Sequence, residues 1–336
     1  PFPGWTLPGV FTAGGAQKLV KTERVLPGKK ILLAGTGPLQ LVLAYQILKA
    51  GGKIEAILEA SDISINWLKG LKGIWGNWDF LKEGWEYLRN IQKADVPLLR
   101  SHMILEAHGD GQVEEAVIAK VDKNWRPRPG TARQMPVDTI CLGYGLVSTT
   151  ELALLAECDH TYDLSLGGFI PVRNENLETT LPGIYALGDG AGVAGSKVAI
   201  EEGLIAGVSV ARSLGYTTDA DAKNHKRRVQ KRLAKINRFR KVLDKMSMPR
   251  AGLFELAKDD TIVCRCEEIT LKEIKDAMAD GGTHTKDIKR MTRVGMGPCE
   301  GRMCGPALIE MMRCQPNAHS DALECLPPRP SIKPVA

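Results

Sequence analysis

The fold class of this chain is decided by the stretch KKILLAGTGPLQLVLAYQILKAGGKIEAILE, residues 29–59. It opens with a short apolar run typical of a strand that is buried on both faces. The glycine turn Gly35-Thr36-Gly37 then leads into an apolar helical segment ending near Lys49, and residues 53–59 have the pattern of a second strand. A strand, a helix and a second strand in this order predict a βαβ unit of a parallel sheet.

The glycine turn of this unit has the context of a dinucleotide-binding fingerprint. Gly35 permits the tight turn, and Gly37 lets the backbone approach a pyrophosphate at the helix N-terminus. Glu59, at the end of the second strand, is placed to accept hydrogen bonds from ribose hydroxyls. Gln40 stands where a third glycine is expected. Such glycine patterns also occur in βαβ units that bind no nucleotide, so both interpretations stay open.

Four cysteines near the C-terminus have the spacing of metal-cluster ligands. The pair Cys-x-Cys is followed by 32 residues and then by Cys-x-x-x-x-Cys; the four positions are Cys264, Cys266, Cys299 and Cys304. Four thiolates on two glycine-rich turns predict a [2Fe–2S] cluster, and the neighbouring Arg265 and Arg302 are suited to offset its negative charge. A four-cysteine zinc site is the first alternative, although Cys-x-Cys is tight for one. Disulfides are the second, but nothing in the sequence looks secreted.

Two further glycine motifs resemble the downstream signatures of flavoproteins with two dinucleotide-binding domains. Gly143-Tyr144-Gly145 follows a predicted strand at 137–142, and Gly188-Asp189-Gly190 follows one predicted at 183–187. The resemblance implies that the first motif returns the chain to the FAD domain and that Asp189 accepts from the ribityl chain of FAD. The alternative for Asp189 is a helix cap. A first GxGxxG motif for the FAD adenosine is missing, so we expect an N-terminally truncated flavoprotein that does not hold FAD tightly.

Across most of its length the sequence resembles the α-subunits of heteromeric amine and amino-acid dehydrogenases. This family includes the flavoprotein subunits of opine oxidase, hydrogen cyanide synthase and proline or hydroxyproline dehydrogenase. The matching stretches are FPGWTLPGVFTAGGAQ, LPGKKILLAGTGPL, LGYGLVSTTELALLAEC, IYALGDGAGVAG and VCRCEEIT with RVGMGPCEGRMCGP. The last two resemble [2Fe–2S] domains of the bacterioferritin-associated-ferredoxin type. Ser148 departs from the proline that the family shows there.

The resemblance implies an FAD- and [2Fe–2S]-containing electron-transfer subunit. A second flavoprotein subunit of amine-oxidase type would oxidise an amine or amino acid, and the electron acceptor is unknown. The central domain of this family takes NAD(P) or ATP, which Gly35, Gly37 and Glu59 do not distinguish. One alternative is a self-contained NAD(P)H-dependent FAD reductase that feeds a ferredoxin-like or nitrite-reductase-like partner. Another is a non-enzymatic iron–sulfur module.

We therefore expect an α/β, two-dinucleotide-binding-domain fold with an incomplete FAD domain, a Rossmann-like NAD-type domain and a small helical [2Fe–2S] domain. The predicted boundaries are a crossover at 1–28, a central nucleotide domain at 29–130, the C-terminal part of the FAD domain at 131–215, a basic helical linker at 216–258, the cluster domain at 259–316 and a flexible tail at 317–336.

The net charge of +6 is concentrated in one segment, because residues 223–250 hold twelve Lys and Arg against a single acid, Asp244. Apolar residues recur in it at helical spacing, which favours an amphipathic helix with a solvated basic face over a nucleic-acid-binding surface. No stretch approaches the roughly 20 apolar residues of a membrane span, and we expect a cytoplasmic protein. The six histidines are scattered, and no catalytic residue is identified.

Overall fold

The computed structural model describes residues 1–62, 78–314, 324–326 and 328–329, which fall into two compact units. The first unit holds residues 1–62, 78–145, 246–314 and 324–326, and the second holds 146–245 and 328–329. A mostly helical region is predicted between residues 62 and 99. Its C-terminal half is helical as expected, and residues 63–77 lie outside the described part of the chain.

The strands are β1 (Val10–Thr12), β2 (Ile31–Gly35), β3 (Ile54–Glu59), β4 (Leu98–Arg100), β5 (His102–His108), β6 (Glu115–Lys120), β7 (Arg133–Pro136), β8 (Thr139–Gly143), β9 (His160–Asp163), β10 (Gly168–Pro171), β11 (Ile262–Cys264) and β12 (Ile269–Thr270). The helices are α1 (Ala13–Lys18), α2 (Pro38–Lys49), α3 (Trp78–Lys93), α4 (Glu151–Leu155), α5 (Ser196–Ser213), α6 (Asp219–Ser247), α7 (Ala251–Phe254), α8 (Leu271–Ala279), α9 (Thr285–Thr292) and α10 (Cys304–Arg313).

The centre of the first unit is a five-stranded sheet with the order β1-β8-β2-β3-β4, in which all neighbouring strands are parallel. Alternate residues of β2 enter two different cores: Leu32 and Ala34 pack on one face of the sheet, and Ile31 and Leu33 on the other. Burial on both faces explains why β2 is a continuous apolar run. The predicted βαβ unit is confirmed by β2, α2 and β3.

Two segments lie elsewhere than the predicted domain boundaries place them. Residues 1–28, expected to be a crossover, contribute β1 to the edge of the central sheet, where it pairs with β8. The first unit runs on to Gly145 rather than ending near residue 130. The reason is that β7 pairs with β6 in the three-stranded antiparallel sheet, while β8 lies between β1 and β2 in the parallel one.

The predicted strand at 183–187 is absent from the second unit. Tyr185 makes only an isolated bridge to Glu178, and residues Gly188–Ala191 form a 3₁₀ turn. A strand needs a hydrogen-bonded neighbour along its length, and no other described strand pairs with this segment. The basic segment is helical as predicted: α6 runs from Asp219 to Ser247, and its Ala222, Val229 and Phe239 are buried.

The cluster domain is attached to the central sheet domain within the first unit. The Trp5 indole N–H donates to the carbonyl of Ile262 at 2.6 Å. Lys258 pairs with Glu106 at 2.6 Å, next to that junction. On the other side of the domain, a Cβ on Gly252 would lie 2.4 Å from the backbone of Trp125. These contacts make the cysteine-containing region part of one compact body with the parallel sheet.

Residues 324–326 belong to this body as well, although the sequence places them in a flexible tail. The Glu324 carbonyl accepts from the Thr285 hydroxyl at 2.7 Å, and Leu326 is buried. Among the described helices, none has both the length and the apolar character needed to cross a membrane.

Candidate functional site

The first cysteine pair lies on a tight hairpin. β11 and β12 pair antiparallel, and Cys264 at the end of β11 stands opposite Ile269. Cys266 follows in the turn between the strands, where Glu268 adopts a left-handed conformation with φ of 58°. Cys264 is buried in the core of the domain, and Cys266 is exposed. The hairpin therefore presents one thiol from inside the domain and one from its surface.

The second pair lies where the loop after α9 enters α10. Cys299 is in the loop, and Cys304 is the first residue of α10. Backbone bonds close the loop on itself: Arg302 N–H donates to the Cys299 carbonyl at 3.0 Å, and Gly305 N–H donates to the Gly301 carbonyl at 2.7 Å. A thiolate at the start of a helix is favoured by the helix dipole.

The fold brings the four predicted ligands together across 40 residues of sequence. Thiol contacts join Cys266 to Cys299 and Cys304 to Cys264. Burial raises the pKa of Cys304 well above its usual range, and the neighbouring Cys264 and Cys299 raise it further. Burial also raises the pKa of Cys266; Cys299 and Cys264 add to this, against a backbone hydrogen bond from Cys299. Four thiolates this close repel each other unless a cation group compensates them.

The donor set fits a binuclear cluster. Within the described residues, no group of three or more His, Cys, Asp or Glu side chains is arranged to hold a single metal ion. Instead the thiols form two contacting pairs, and sulfur-only ligation is what an iron–sulfur cluster requires. The sequence alternatives of zinc and disulfides differ here: the eight cysteines are all free thiols in this structure.

Gly297 and two arginines shape the surroundings of the cysteines. A Cβ on Gly297 would lie 2.2 Å from the Cβ of Cys266, so no larger residue fits beside this ligand. Arg265, between the first two cysteines, donates to the Thr6 carbonyl at 3.1 Å. This contact holds a cation next to the cysteine hairpin, while Arg302 lies in the ligand loop.

The central glycine motif is closed by its own carboxylate. The Thr36 hydroxyl and the Ser61 N–H donate to Oε1 of Glu59, both at 2.9 Å, and the Gly37 N–H donates to Oε2 at 3.0 Å. Glu59 is 4% exposed. Burial raises the pKa of its carboxyl, while the hydrogen bonds from Ser61, Thr36 and Gly37 and the charge of Arg100 lower it. The N–H group predicted to meet a pyrophosphate is thus occupied within the protein.

The glycines of this motif also serve close packing. A Cβ on Gly35 would lie 2.1 Å from the carbonyl oxygen of Gly143, its register partner in β8. A Cβ on Gly37 would lie 3.0 Å from the Cβ of Ser247, so the end of α6 covers the turn. Gly145, with φ of 138°, stands 3.9 Å from Pro249 by the same measure. These positions require glycine for reasons other than a ligand.

The Gly188-Asp189-Gly190 turn lies in the second unit and is held from behind. Gly188, with φ of 60°, donates its N–H to Oε2 of Glu202 at 2.8 Å. Arg173 pairs with Glu202 at 2.7 Å and donates to the Ala186 carbonyl at 3.1 Å. Asp189 itself is exposed, and it makes no hydrogen bond or ion pair with another described residue.

Asp189 does not cap a helix, since α5 begins at Ser196 with Gly195 as its N-cap. Its carboxylate is therefore turned outward on a rigid turn. Sequence reasoning missed the residues that support these turns, namely Thr36, Ser61, Arg173 and Glu202. No local motif announces them, because each acts on a glycine that is distant along the chain.

Two protein-family models match the chain. The pyridine nucleotide-disulphide oxidoreductase model covers residues 11–213, and the BFD-like [2Fe-2S] binding domain model covers residues 262–313. The second range begins with β11, ends with α10 and contains all four predicted cysteine ligands.

Curated relatives match over the whole chain. It is 32% identical to hydrogen cyanide synthase subunit HcnB of Pseudomonas aeruginosa over 336 residues, which cover 100% of this chain and 71% of the relative. It is 31% identical to an opine oxidase subunit of Rhizobium meliloti over 340 residues, covering 100% and 72%. Among solved structures, L-proline dehydrogenase from P. horikoshii aligns with a TM-score of 0.59 and 19% identity, covering 93% of this chain and 50% of that one. This last likeness shows the shared fold.

Proposed function

The chain belongs to the pyridine nucleotide-disulphide oxidoreductase family and carries a BFD-like [2Fe–2S] domain, and from this premise we propose that it is the electron-transfer subunit of an amine or amino-acid dehydrogenase. FAD and a [2Fe–2S] cluster are the cofactors of this architecture. The substrate is oxidised in a second flavoprotein subunit, and this chain passes the electrons on. The similarity to the opine oxidase subunit and to hydrogen cyanide synthase subunit HcnB supports this assignment.

The observation that carries the proposal is the four-cysteine site. We propose that Cys264, Cys266, Cys299 and Cys304 are the cluster ligands, with Gly297 leaving the room they need. When both cofactors are bound, the flavin takes electrons in pairs and the cluster carries them singly. Only a protein that hands electrons onward needs this combination in one chain. The attachment of the cluster domain to the central sheet domain keeps the ligands in a fixed body.

For the flavin we propose Asp189 as a ligand of the ribityl hydroxyls. Its carboxylate is exposed and unpaired, and the buried pair of Arg173 and Glu202 fixes the turn that presents it. Gly190 and Gly188 leave the turn free of side chains on both sides of Asp189.

The closed central motif favours a partner flavoprotein over NAD(P)H as the electron source. Glu59 binds Thr36, Gly37 and Ser61, and Ser247 covers the turn. The ribose-binding carboxylate and the phosphate-binding N–H are therefore both engaged inside the protein. NAD(P) or ATP binding in the central domain requires these contacts to rearrange.

A direct test measures both electron sources with the same preparation. The chain is purified with its partner flavoprotein, and reduction of an artificial acceptor dye is followed with a panel of amines and amino acids. We expect substrate-dependent reduction that needs both subunits, and negligible oxidation of NADH or NADPH by this chain alone. Rapid NAD(P)H oxidation without the partner contradicts the proposal and supports a self-contained reductase. A cluster without any flavin supports a non-enzymatic module.

A further inference from the structure

The segment 324–326 is anchored beside the cysteine loop. The Thr285 hydroxyl donates to the Glu324 carbonyl at 2.7 Å and accepts from the Glu324 N–H at 3.3 Å. The Glu324 carboxylate pairs with Lys286 at 2.7 Å. Thr285 is fully buried at the start of α9. Two backbone bonds to one buried hydroxyl fix the position of the residue that follows them in the chain.

Leu326 fills the space that three glycines leave in the cysteine loop. It is 7% exposed. A Cβ on Gly295 would lie 2.7 Å from Cδ1 of Leu326, one on Gly301 2.9 Å, and one on Gly305 3.5 Å. Gly295 and Gly301 have φ of 77° and 81°, which keeps their backbone close to the leucine. The side chain thus lies against the whole loop rather than against a single residue.

These three glycines bracket the second cysteine pair. Cys299 stands between Gly295 and Gly301, and Cys304 directly precedes Gly305. An apolar side chain seated on this loop keeps water away from the ligands it carries. Solvent exposure is one of the factors that set the reduction potential of an iron–sulfur cluster, and the apolar surroundings of a metal site control access to it.

We infer that Leu326 is a positioning residue of the cluster site, which holds the loop of Cys299 and Cys304 closed and shields the cluster from solvent. The inference rests on the proposed ligation by the four cysteines. It assigns a role to a segment that no cysteine motif reaches: residues 324–326 determine how long the cluster survives and at which potential it works.

The experiment uses the protein as isolated with its cluster. The variants are Leu326→Ala, Leu326→Met and Thr285→Val, and the control is Leu214→Ala, whose leucine is 65% exposed in the second unit. Cluster loss to an excess of EDTA is followed under anaerobic conditions by bleaching of the visible sulfur-to-iron absorbance. The reduction potential is measured by an EPR-monitored redox titration.

We expect Leu326→Ala to lose the cluster roughly tenfold faster than the parent protein, the size of effect typical for residues outside the ligand set. Its potential should rise, because added solvent stabilises the more negative reduced state. Thr285→Val should accelerate the loss through the lost anchor. Leu326→Met, similar in volume, and Leu214→Ala should match the parent protein.

Loss rates and potentials of Leu326→Ala that equal those of the parent protein overturn the inference. So does a Leu326→Met variant as labile as Leu326→Ala, because the leucine volume would then be irrelevant. Failure of the proposed cluster site gives a different result: the parent protein itself would contain no iron and acid-labile sulfide.

Discussion

Glu59 is a buried carboxylate whose hydrogen bonds organise the central glycine turn. Oε1 accepts from Thr36 and Ser61, and Oε2 accepts from Gly37. Burial is the largest influence on its pKa and raises it. Ionisation of Glu59 in the folded protein is therefore less favourable than in the unfolded chain, despite the three donors.

The Glu59→Gln variant tests this balance through its pH dependence. A raised pKa in the folded state means that the stabilising contribution of Glu59 is complete below its unfolded pKa and is lost as the pH rises through the folded value. The neutral amide has no such loss. We expect the melting temperature of Glu59→Gln, relative to the parent protein, to increase from pH 4 to pH 8. A pH-independent difference, or one that falls as the pH rises, contradicts the assignment.

Glu202 is the residue that fixes the Gly188–Asp189 turn, and its neighbour in sequence offers a matched control. The Glu202 pair with Arg173 is mostly buried, with side-chain exposures of 8% and 21%. The Glu201 pair with Arg232 leaves the arginine 51% exposed. Removing one partner of a buried pair leaves an uncompensated charge, whereas exposed pairs contribute little.

We therefore expect Glu202→Gln to lower the free energy of unfolding by about 3 kcal/mol and to speed FAD release, because Gly188 loses its acceptor. Glu201→Gln should change the free energy of unfolding by about 1 kcal/mol or less. Urea unfolding and flavin fluorescence measure the two effects. Equal losses in both variants rule out a special role for Glu202.

At the scale of elements, the contact between β2 and β8 depends on Gly35. Its missing side chain lets the Gly143 carbonyl approach, and an added Cβ would lie 2.1 Å from that oxygen. Gly35→Ala should destabilise the protein by about 3 kcal/mol, the upper range for overpacking a tight interior. Gly14→Ala is the control, since Gly14 lies in α1 with open space around it. Alanine there should stabilise the protein by roughly 0.5–1 kcal/mol. Thermal unfolding compares the two, and a harmless Gly35→Ala refutes the packing role.

The βαβ unit and the four cysteines are predictable from sequence because their signals are local. An apolar run of five residues, a glycine turn and a fixed cysteine spacing each lie within one short segment. The role of Gly35 in packing against Gly143 is not predictable in this way, since the two are 108 residues apart and meet only after β8 enters the sheet.

The errors have the same cause. Residues 183–187 have the apolar composition of a strand, but a strand depends on a partner, and composition does not reveal whether one is present. Residues 324–326 lie in a proline-rich tail, yet Thr285 and three loop glycines give Glu324 and Leu326 specific contacts. In both cases the deciding partner is remote in sequence.

At the scale of the whole molecule, the described residues separate into a body that carries the cysteines and a unit that carries Asp189. The parallel sheet and the cluster domain share the first body, joined by Trp5 with Ile262 and by Lys258 with Glu106. A flavoprotein-type chain with a cluster domain built into its central body is suited to receive electrons from one protein and pass them to another.

The most direct test of this account is rapid-freeze EPR of the protein together with its partner flavoprotein, frozen after anaerobic mixing with the amine or amino-acid substrate. We predict that the signal of a reduced [2Fe–2S] cluster develops within turnover. It should be lost in Cys304→Ser and retained in Cys314→Ser, which changes an exposed cysteine outside the site. A cluster signal that persists in Cys304→Ser, or that develops with NADPH in the absence of the partner and not with substrate, contradicts the account.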